Sequence, residues 1–151
     1  MSQKPHVRFQ RANFVVADID RSLTFYRDVL GFEEEFRLPH NPDSYSIPVF
    51  AVPEGATIGF SVLSAPGQQR VMALTEVKDV PLEPVPHPRR SAIVLETADP
   101  DAVMAGARAL GLQVYEEEVL KTHDGRVGRE IGIVDFDDNL VVIYLIPDQV
   151  Q

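Results

Sequence analysis

The 151-residue chain contains no cysteine. Disulfides, thiolate nucleophiles and cysteine-ligated zinc or iron–sulfur centres are therefore excluded. Basic charge is also scarce: 14 Lys and Arg stand against 23 Asp and Glu, for a net charge of −9. A nucleic-acid partner needs a basic footprint for its phosphates, so none is expected. No apolar run approaches the roughly 20 residues of a membrane-spanning helix. The opening MSQKPHVRFQ has charge but no apolar stretch behind it, so no secretory signal is read and the cytoplasm is the expected location. Two catalytic signatures are missing. The glycines of GATIGF (55–60) are not followed by a helix with a lysine and a hydroxyl residue, as a phosphate loop requires, and no Gly-x-Ser-x-Gly elbow occurs. The runs Glu33–Glu35 and Glu116–Glu118 lack the spacing of a glycosidase pair or an acidic metal loop and read as solvated strand ends.

What is present is an ordinary globular composition, 44% hydrophobic and 25% charged, in a length that suits one compact domain or two small packed modules. The chain is built twice. RANFVVAD (11–18) reads as a strand, followed by a helix over 19–31 with Asp20 as its cap, Leu23, Tyr26 and Leu30 on its apolar face, and Gly31 as its stop. Strands are expected at 32–38, 45–52 and 56–65, separated by the turns Asn41-Pro42-Asp43 and Pro53-Glu54-Gly55. The second half repeats the plan: strand 91–99, a helix over 100–111 with Asp101 as its possible cap and Gly111 as its stop, then strands 112–120, 127–135 and 139–147, with Asp124-Gly125 as a turn. Each strand–helix–three-strand unit has an apolar face it cannot bury alone, so the two should pack together. Module one is placed at about 7–76 and module two at about 91–147. The proline-rich stretch 77–90 between them reads as a semi-extended connector, able to cross to a partner subunit or border a pocket.

VVADIDRSLTFYRDVLGFEEEF (15–36) and IGIVDFDDNLVVIYL (131–145) resemble the two signatures of the vicinal-oxygen-chelate superfamily, the glyoxalase, bleomycin-resistance and extradiol-dioxygenase fold. Asp18, Ser22, Phe25, Tyr26, Leu30 and Gly31 carry the first match. In the second, the family's Asp-Pro-Asp-Gly-Asn turn appears with Phe136 for the proline and Asp138 for the glycine, while Asn139 stands. The resemblance covers about residues 7–147. It implies an α+β fold of two tandem βαβββ modules, curled mixed sheets around a cavity, and a homodimer. It does not imply one reaction, because the superfamily hosts isomerases, epimerases, dioxygenases, thiol transferases and antibiotic sequestration.

Where such proteins hold a divalent ion, the resemblance places its ligands on the first and fourth strands of each module. Those positions here are Arg11, which has no acceptor; Ala92, with Ser91 adjacent; Val142, which has no lone pair to offer; and a residue within 58–64, where Ser61 is the most plausible inward polar group. No metal cofactor is expected, and a divalent ion belongs to the alternative reading. Among the histidines, His6, His40 and His87 fall in tail or loop segments, and His123, before the Asp124-Gly125 turn, is the best placed to border a pocket.

Strand alternation puts Asn13 and Val15 on the side of Arg11, and Leu140, Val142 and Tyr144 on one face of the last strand. Arg11, Asn13, Ser61, Val142 and Tyr144 form the expected ligand-binding set. They suit a small organic anion or a molecule with an aromatic or aliphatic body. Each also has a plain structural role open to it: an ion pair for Arg11, a strand defect for Asn13, core packing for Tyr144. Glu96 is a candidate base if it shares the inward face with Ala92 and Val94, and it is harmless after a one-residue shift. One of Arg129 and Glu130 should face inward. Glu96, His123 and Glu130 are the catalytic candidates. The expected function is metal-independent binding of a small molecule. The alternatives are a glyoxalase-like lyase, isomerase or dioxygenase with an altered metal or acid–base site, and a purely structural module without a pocket.

Overall fold

The structure, a computed structural model, describes residues 3–147. Its elements are β1 (Ala12–Val16), α1 (Ile19–Tyr26), β2 (Glu33–Leu38), α2 (Ser46–Val49), β3 (Thr57–Ala65), β4 (Gln68–Lys78), β5 (Ala92–Glu96), α3 (Pro100–Ala109), β6 (Glu118–Lys121), β7 (Val127–Val134) and β8 (Leu140–Leu145). They form two four-stranded mixed sheets ordered β1-β4-β3-β2 and β5-β8-β7-β6. In each, the first strand runs parallel to the fourth and the remaining pairs are antiparallel. This is the α+β architecture of two βαβββ modules. Among the described residues no helix is long and apolar enough to cross a membrane.

Module one departs from expectation in one strand. The segment 45–52 is not a strand but holds the single helical turn α2, and the missing strand is β4. Pro48 has no N–H for a ladder, which disfavours the strand. The chain reverses between β3 and β4 at Pro66-Gly67, where Gly67 has φ +72°. Both helix caps sit two residues earlier than expected. Asp18 and Asp99 accept from the amides of Arg21 and Ala102, three residues on, while Asp20 and Asp101 are acidic residues of the first turn.

The helix-covered faces of the two sheets meet in one core. Phe14, Val16, Leu63, Met72 and Leu74 of sheet one join Ile131, Ile133, Val141 and Ile143 of sheet two, with Leu23, Phe25 and Tyr26 of α1 and Val103, Met104 and Ala107 of α3 between them. Each large apolar side chain so buried stabilises the fold by roughly 1.5–3 kcal/mol relative to exposure. At Gly106 of α3 the missing Cβ makes room for Val29, whose Cγ1 lies 2.9 Å from where that Cβ would be. The modules are thus joined through their helix sides, and the open face of each sheet is directed away from this core.

Candidate functional site

The pairing register decides what each open face carries. Ala92, Val94 and Glu96 of β5 lie beside Leu140, Val142 and Tyr144 of β8, and these lie beside Val134, Gly132 and Glu130 of β7. Paired residues point to the same side of a sheet. The alternate residues Ile93, Leu95, Val141, Ile143, Ile131 and Ile133 pack into the core. The open face of sheet two therefore has an apolar floor of Val94 and Val142, and a row Glu96, Tyr144, Glu130 and Glu118 across its strands. The Tyr144 hydroxyl stands 3.5 Å from Glu96. Val94 is 62% exposed, so nothing in its own chain covers the floor. The choice between Arg129 and Glu130 is resolved. Arg129 turns to the helix side and pairs with Asp101 of α3 and with Glu117, leaving Glu130 on the open side.

Two residues not anticipated from the sequence border this face. Tyr115 lies over Gly132, its ring carbon 3.2 Å from where a Cβ would be. Arg89 of the connector donates to the Tyr115 hydroxyl at 3.0 Å and to Asp138 at 2.6 Å. Asp138 adopts φ +67°, the left-handed conformation for which the family's turn uses glycine. Only the tertiary approach of the connector to this turn brings these groups together.

On sheet one, Asn13 and Val15 pair with Ala73 and Thr75, which pair in turn with Val62 and Phe60. Asn13 accepts from the Thr75 hydroxyl at 2.9 Å, so it is tied within the sheet while its amide remains partly accessible. Segment 39–46 stands over Phe60 and Thr75 and leaves a cleft of about 230 Å³ lined also by Leu38, Asn41, Ser44 and Ser46. Ser61 is a correction. It pairs with Leu74 on the helix side, is fully buried, and donates to Glu34 at 2.6 Å. Its parity in β3 is opposite to that of Phe60 and Val62. Arg11 is exposed and precedes β1. Among the histidines, His123 is exposed in the β6–β7 turn, and His40 accepts the backbone N–H of Ile58 at 2.9 Å.

A groove of about 1040 Å³ opens between the sheets, lined by Ala12, Val71 and Met72 of sheet one and by Ala92–Glu96 and Tyr144 of sheet two. Of the set Arg11, Asn13, Ser61, Val142 and Tyr144 only Tyr144 lines it, whereas Glu96, Val142, Tyr144 and Glu130 share the open face of sheet two. The metal positions implied by the resemblance can be checked against register. The caps Asp18 and Asp99 superpose the modules, so Asn13 corresponds to Val94, and their β4 and β8 partners are Ala73 and Val142. The fourth position thus falls on Ala73 rather than within 58–64. Arg11, Ala92, Ala73 and Val142 do not fit a divalent ion: three are aliphatic and the fourth carries a fixed positive charge. Among the described residues no group of three His, Asp or Glu side chains is placed to hold one.

The turn into β8 locks the modules together. Asp135 is buried and accepts from the Tyr26 hydroxyl of α1 at 2.7 Å, from the amides of Asp137 and Asn139, and from the Asn139 side chain. Asn139 also donates to the Val15 carbonyl at 3.1 Å. Arg21 pairs with Asp137 at 3.0 Å and lies over the Phe136 ring. Burial, and then the Asp135 charge, push the Tyr26 phenol well above its usual range. Burial and Asp135 likewise raise the Asp137 carboxyl, against the opposing pull of Arg21.

A sequence profile described as the Glyoxalase/Bleomycin resistance protein/Dioxygenase superfamily matches residues 8–143. No curated protein shows significant similarity to the chain. Among solved structures, a glyoxalase family protein from Bacillus cereus aligns at 14% identity with a TM-score of 0.71, covering 96% of this chain and 97% of its own. A glyoxylase/bleomycin resistance protein/dioxygenase domain from Frankia sp. EAN1pec aligns at 16% identity and TM-score 0.64, covering 93% and 98%. The fosfomycin resistance protein FosX of Listeria monocytogenes, complexed with Mn(II) and 1S,2S-dihydroxypropylphosphonic acid, aligns at 16% identity and TM-score 0.59, covering 93% of each chain. At these identities the likeness is one of fold.

Proposed function

The chain belongs to the Glyoxalase/Bleomycin resistance protein/Dioxygenase superfamily, and on that premise we propose that it binds a small organic molecule without a metal ion and acts as a homodimer. One observation carries the reading: the four positions at which the fold would hold an ion are occupied by Arg11, Ala92, Ala73 and Val142. A carboxylate or imidazole at those points would favour Lewis-acid chemistry; aliphatic groups favour contact with an apolar ligand body. In this reading the ligand lies on Val94 and Val142, against Tyr144 and Tyr115. Arg11 and Asn13 of a second copy supply its polar contacts, an arrangement suited to an aromatic or aliphatic acid. The bare floor of sheet two supports a lid from another copy, since an exposed apolar face gains by being covered.

Elemental analysis of protein purified without chelators tests the reading, together with a thermal-shift screen of aromatic and aliphatic acids run with and without EDTA. Substoichiometric metal and EDTA-insensitive stabilisation are expected. One tightly retained divalent ion per chain sinks the proposal. A second reading, an enzyme with an acid–base site, is favoured by the row Glu96, Tyr144 and Glu130, which could pass a proton across adjacent strands. It requires product formation that is lost in Glu96→Gln or Glu130→Gln while ligand binding persists.

A further inference from the structure

The connector brings a cation to one end of the open face of sheet two. Arg89 stands just ahead of β5, and its side chain is only 17% exposed. Its Nη1 donates to the Tyr115 hydroxyl at 3.0 Å. The Tyr115 ring and the Leu140 side chain both border the space above Gly132, 3.2 and 3.7 Å from where its Cβ would be, so Arg89 sits at the Leu140 end of the floor. Its Nη2 donates to Asp138 at 2.6 Å. Its Nε is buried and has no acceptor among the described residues. A buried donor left unpaired is costly, so this one needs a reason.

Asp138 fills the guanidinium imperfectly. It sits at φ +67°, where a side chain is disfavoured and glycine is at ease. One of its carboxylate oxygens takes the bond from Nη2, while the other stands 4.0 Å from the exposed His87. A carboxylate matched to a guanidinium takes two parallel bonds, from Nε and Nη2 together. Asp138 makes half of that pair. The opposite end of the face is set against such a group. Glu96, Glu130 and Glu118 lie in one row with Tyr144. Tyr144 is four residues along β8 from Leu140, which puts that row roughly 13 Å from the Arg89 end.

We propose that Arg89 takes the acid group of the ligand, and that Asp138 is its resident competitor, displaced from the Nε–Nη2 fork as the ligand binds. The acid group then lies at the Leu140 end, and its aromatic or aliphatic body runs over Val142 and Val94. The acidic row repels a second carboxylate at the far end, so one orientation is left and monocarboxylic acids are favoured over dicarboxylic acids of the same length. The inference rests on the reading of an organic acid on this floor, and adds the residue of the same chain that recognises its charge.

Titration calorimetry with phenylacetate, 4-phenylbutyrate, hexanoate and octanoate, each set against its neutral amide, tests this, with adipate as the dicarboxylic counterpart of hexanoate. In the native protein at least one acid should bind about tenfold or more tighter than its amide, and adipate should bind more weakly than hexanoate. Arg89→Gln should abolish the preference for acid over amide. Asp138→Gly, which suits the turn and frees the fork, should tighten the acids by about threefold or more and leave the amides within about twofold. Circular dichroism checks the folding of each variant; should Arg89→Gln fail to fold, the Asp138→Gly titration decides. An acid preference that survives Arg89→Gln, an equal loss of acid and amide in that variant, or acids weakened by Asp138→Gly overturns the inference and leaves the reading of the site standing. Adipate bound as tightly as hexanoate overturns the single orientation. A native protein that binds none of the acids overturns both the inference and the reading.

Discussion

Tyr26→Phe isolates the hydrogen bond that ties the two modules. The phenol is fully buried and donates to Asp135 at 2.7 Å, so the substitution removes one oxygen and leaves the ring packing intact. A hydrogen bond to a charged group contributes about 1.5–3 kcal/mol. Asp135 keeps three other donors, the amides of Asp137 and Asn139 and the Asn139 side chain, so no carboxylate is orphaned. That places the expected cost near the low end, about 1.5–2 kcal/mol, or about 3–8 °C in Tm for a chain of this size. Asp135→Ala removes the acceptor and strands four donors at once, for about 3–5 kcal/mol. In the double variant the phenol has no acceptor left to lose, so the combined cost should match Asp135→Ala to within about 0.5 kcal/mol. The assay is urea unfolding followed by far-ultraviolet circular dichroism, since the chain has no tryptophan to report by fluorescence. A Tyr26→Phe cost under about 0.5 kcal/mol, or costs that simply add in the double variant, refutes the argument that this contact is a charge-assisted latch.

Gly106→Ala should destabilise by about 1–2 kcal/mol, because the new methyl meets Val29 and overpacking outweighs the gain in helix propensity; Val29→Ala in the same chain should restore most of the loss in urea titrations. Gly128→Ala should yield little soluble protein on expression, because its Cβ would overlap the Leu145 carbonyl oxygen of β8. Stability should fall on acidification. Asp101 and Glu117 are held low by hydrogen bonds from Arg129, and Asp28 by Arg27, so their contribution is present above the unfolded carboxyl range near about 4 and lost as pH drops through their lowered values. Asp137 has the opposite sign: its raised carboxyl contributes below the unfolded value and loses that contribution as pH rises through the folded one, so Asp137→Asn should flatten the profile on that side in urea midpoints measured against pH. Arg89→Ala should leave the urea midpoint little changed but alter which acids give a thermal shift, because Tyr115 loses its hold above Gly132.

Much of the fold was legible because both modules obey local rules. The two aspartate-led helices and their terminal glycines bracket an apolar periodicity that strands cannot imitate, and β5, β7 and β8 fall within their expected ranges, while the strand expected at 112–120 shrinks to β6 with an isolated bridge at Val114. Module one was misread where those rules compete. Pro48 sits in an apolar stretch whose length suits a strand, and β4, buried on both sides over much of its length, has no clean alternation to mark it. The turn at Pro66-Gly67 was the available signal. At the site, Val142 and Tyr144 could be assigned a common face from parity alone, whereas the side taken by Glu96 was open until the β5–β8 register placed it beside Tyr144. Ser61 could not, because the register of β3 depends on the strand it pairs with, and that strand had been missed. Tyr115 and Arg89 carry no local signal, since their association requires the connector to return to the turn before β8.

The amino-acid sequence by itself determined the two-module plan, the presence of an aspartate-led helix in each module, and three ion-holding positions stripped of usable donors, because each depends on side chains within a few residues or on a repeat of known spacing. Only the tertiary structure decided that the helix sides meet, that the open faces look outward, and that Glu130 rather than Arg129 lies on one of them. The physical reason is that a strand has two faces of equal local standing. Which one is buried is chosen by the partner elements, through apolar area that no single segment can count.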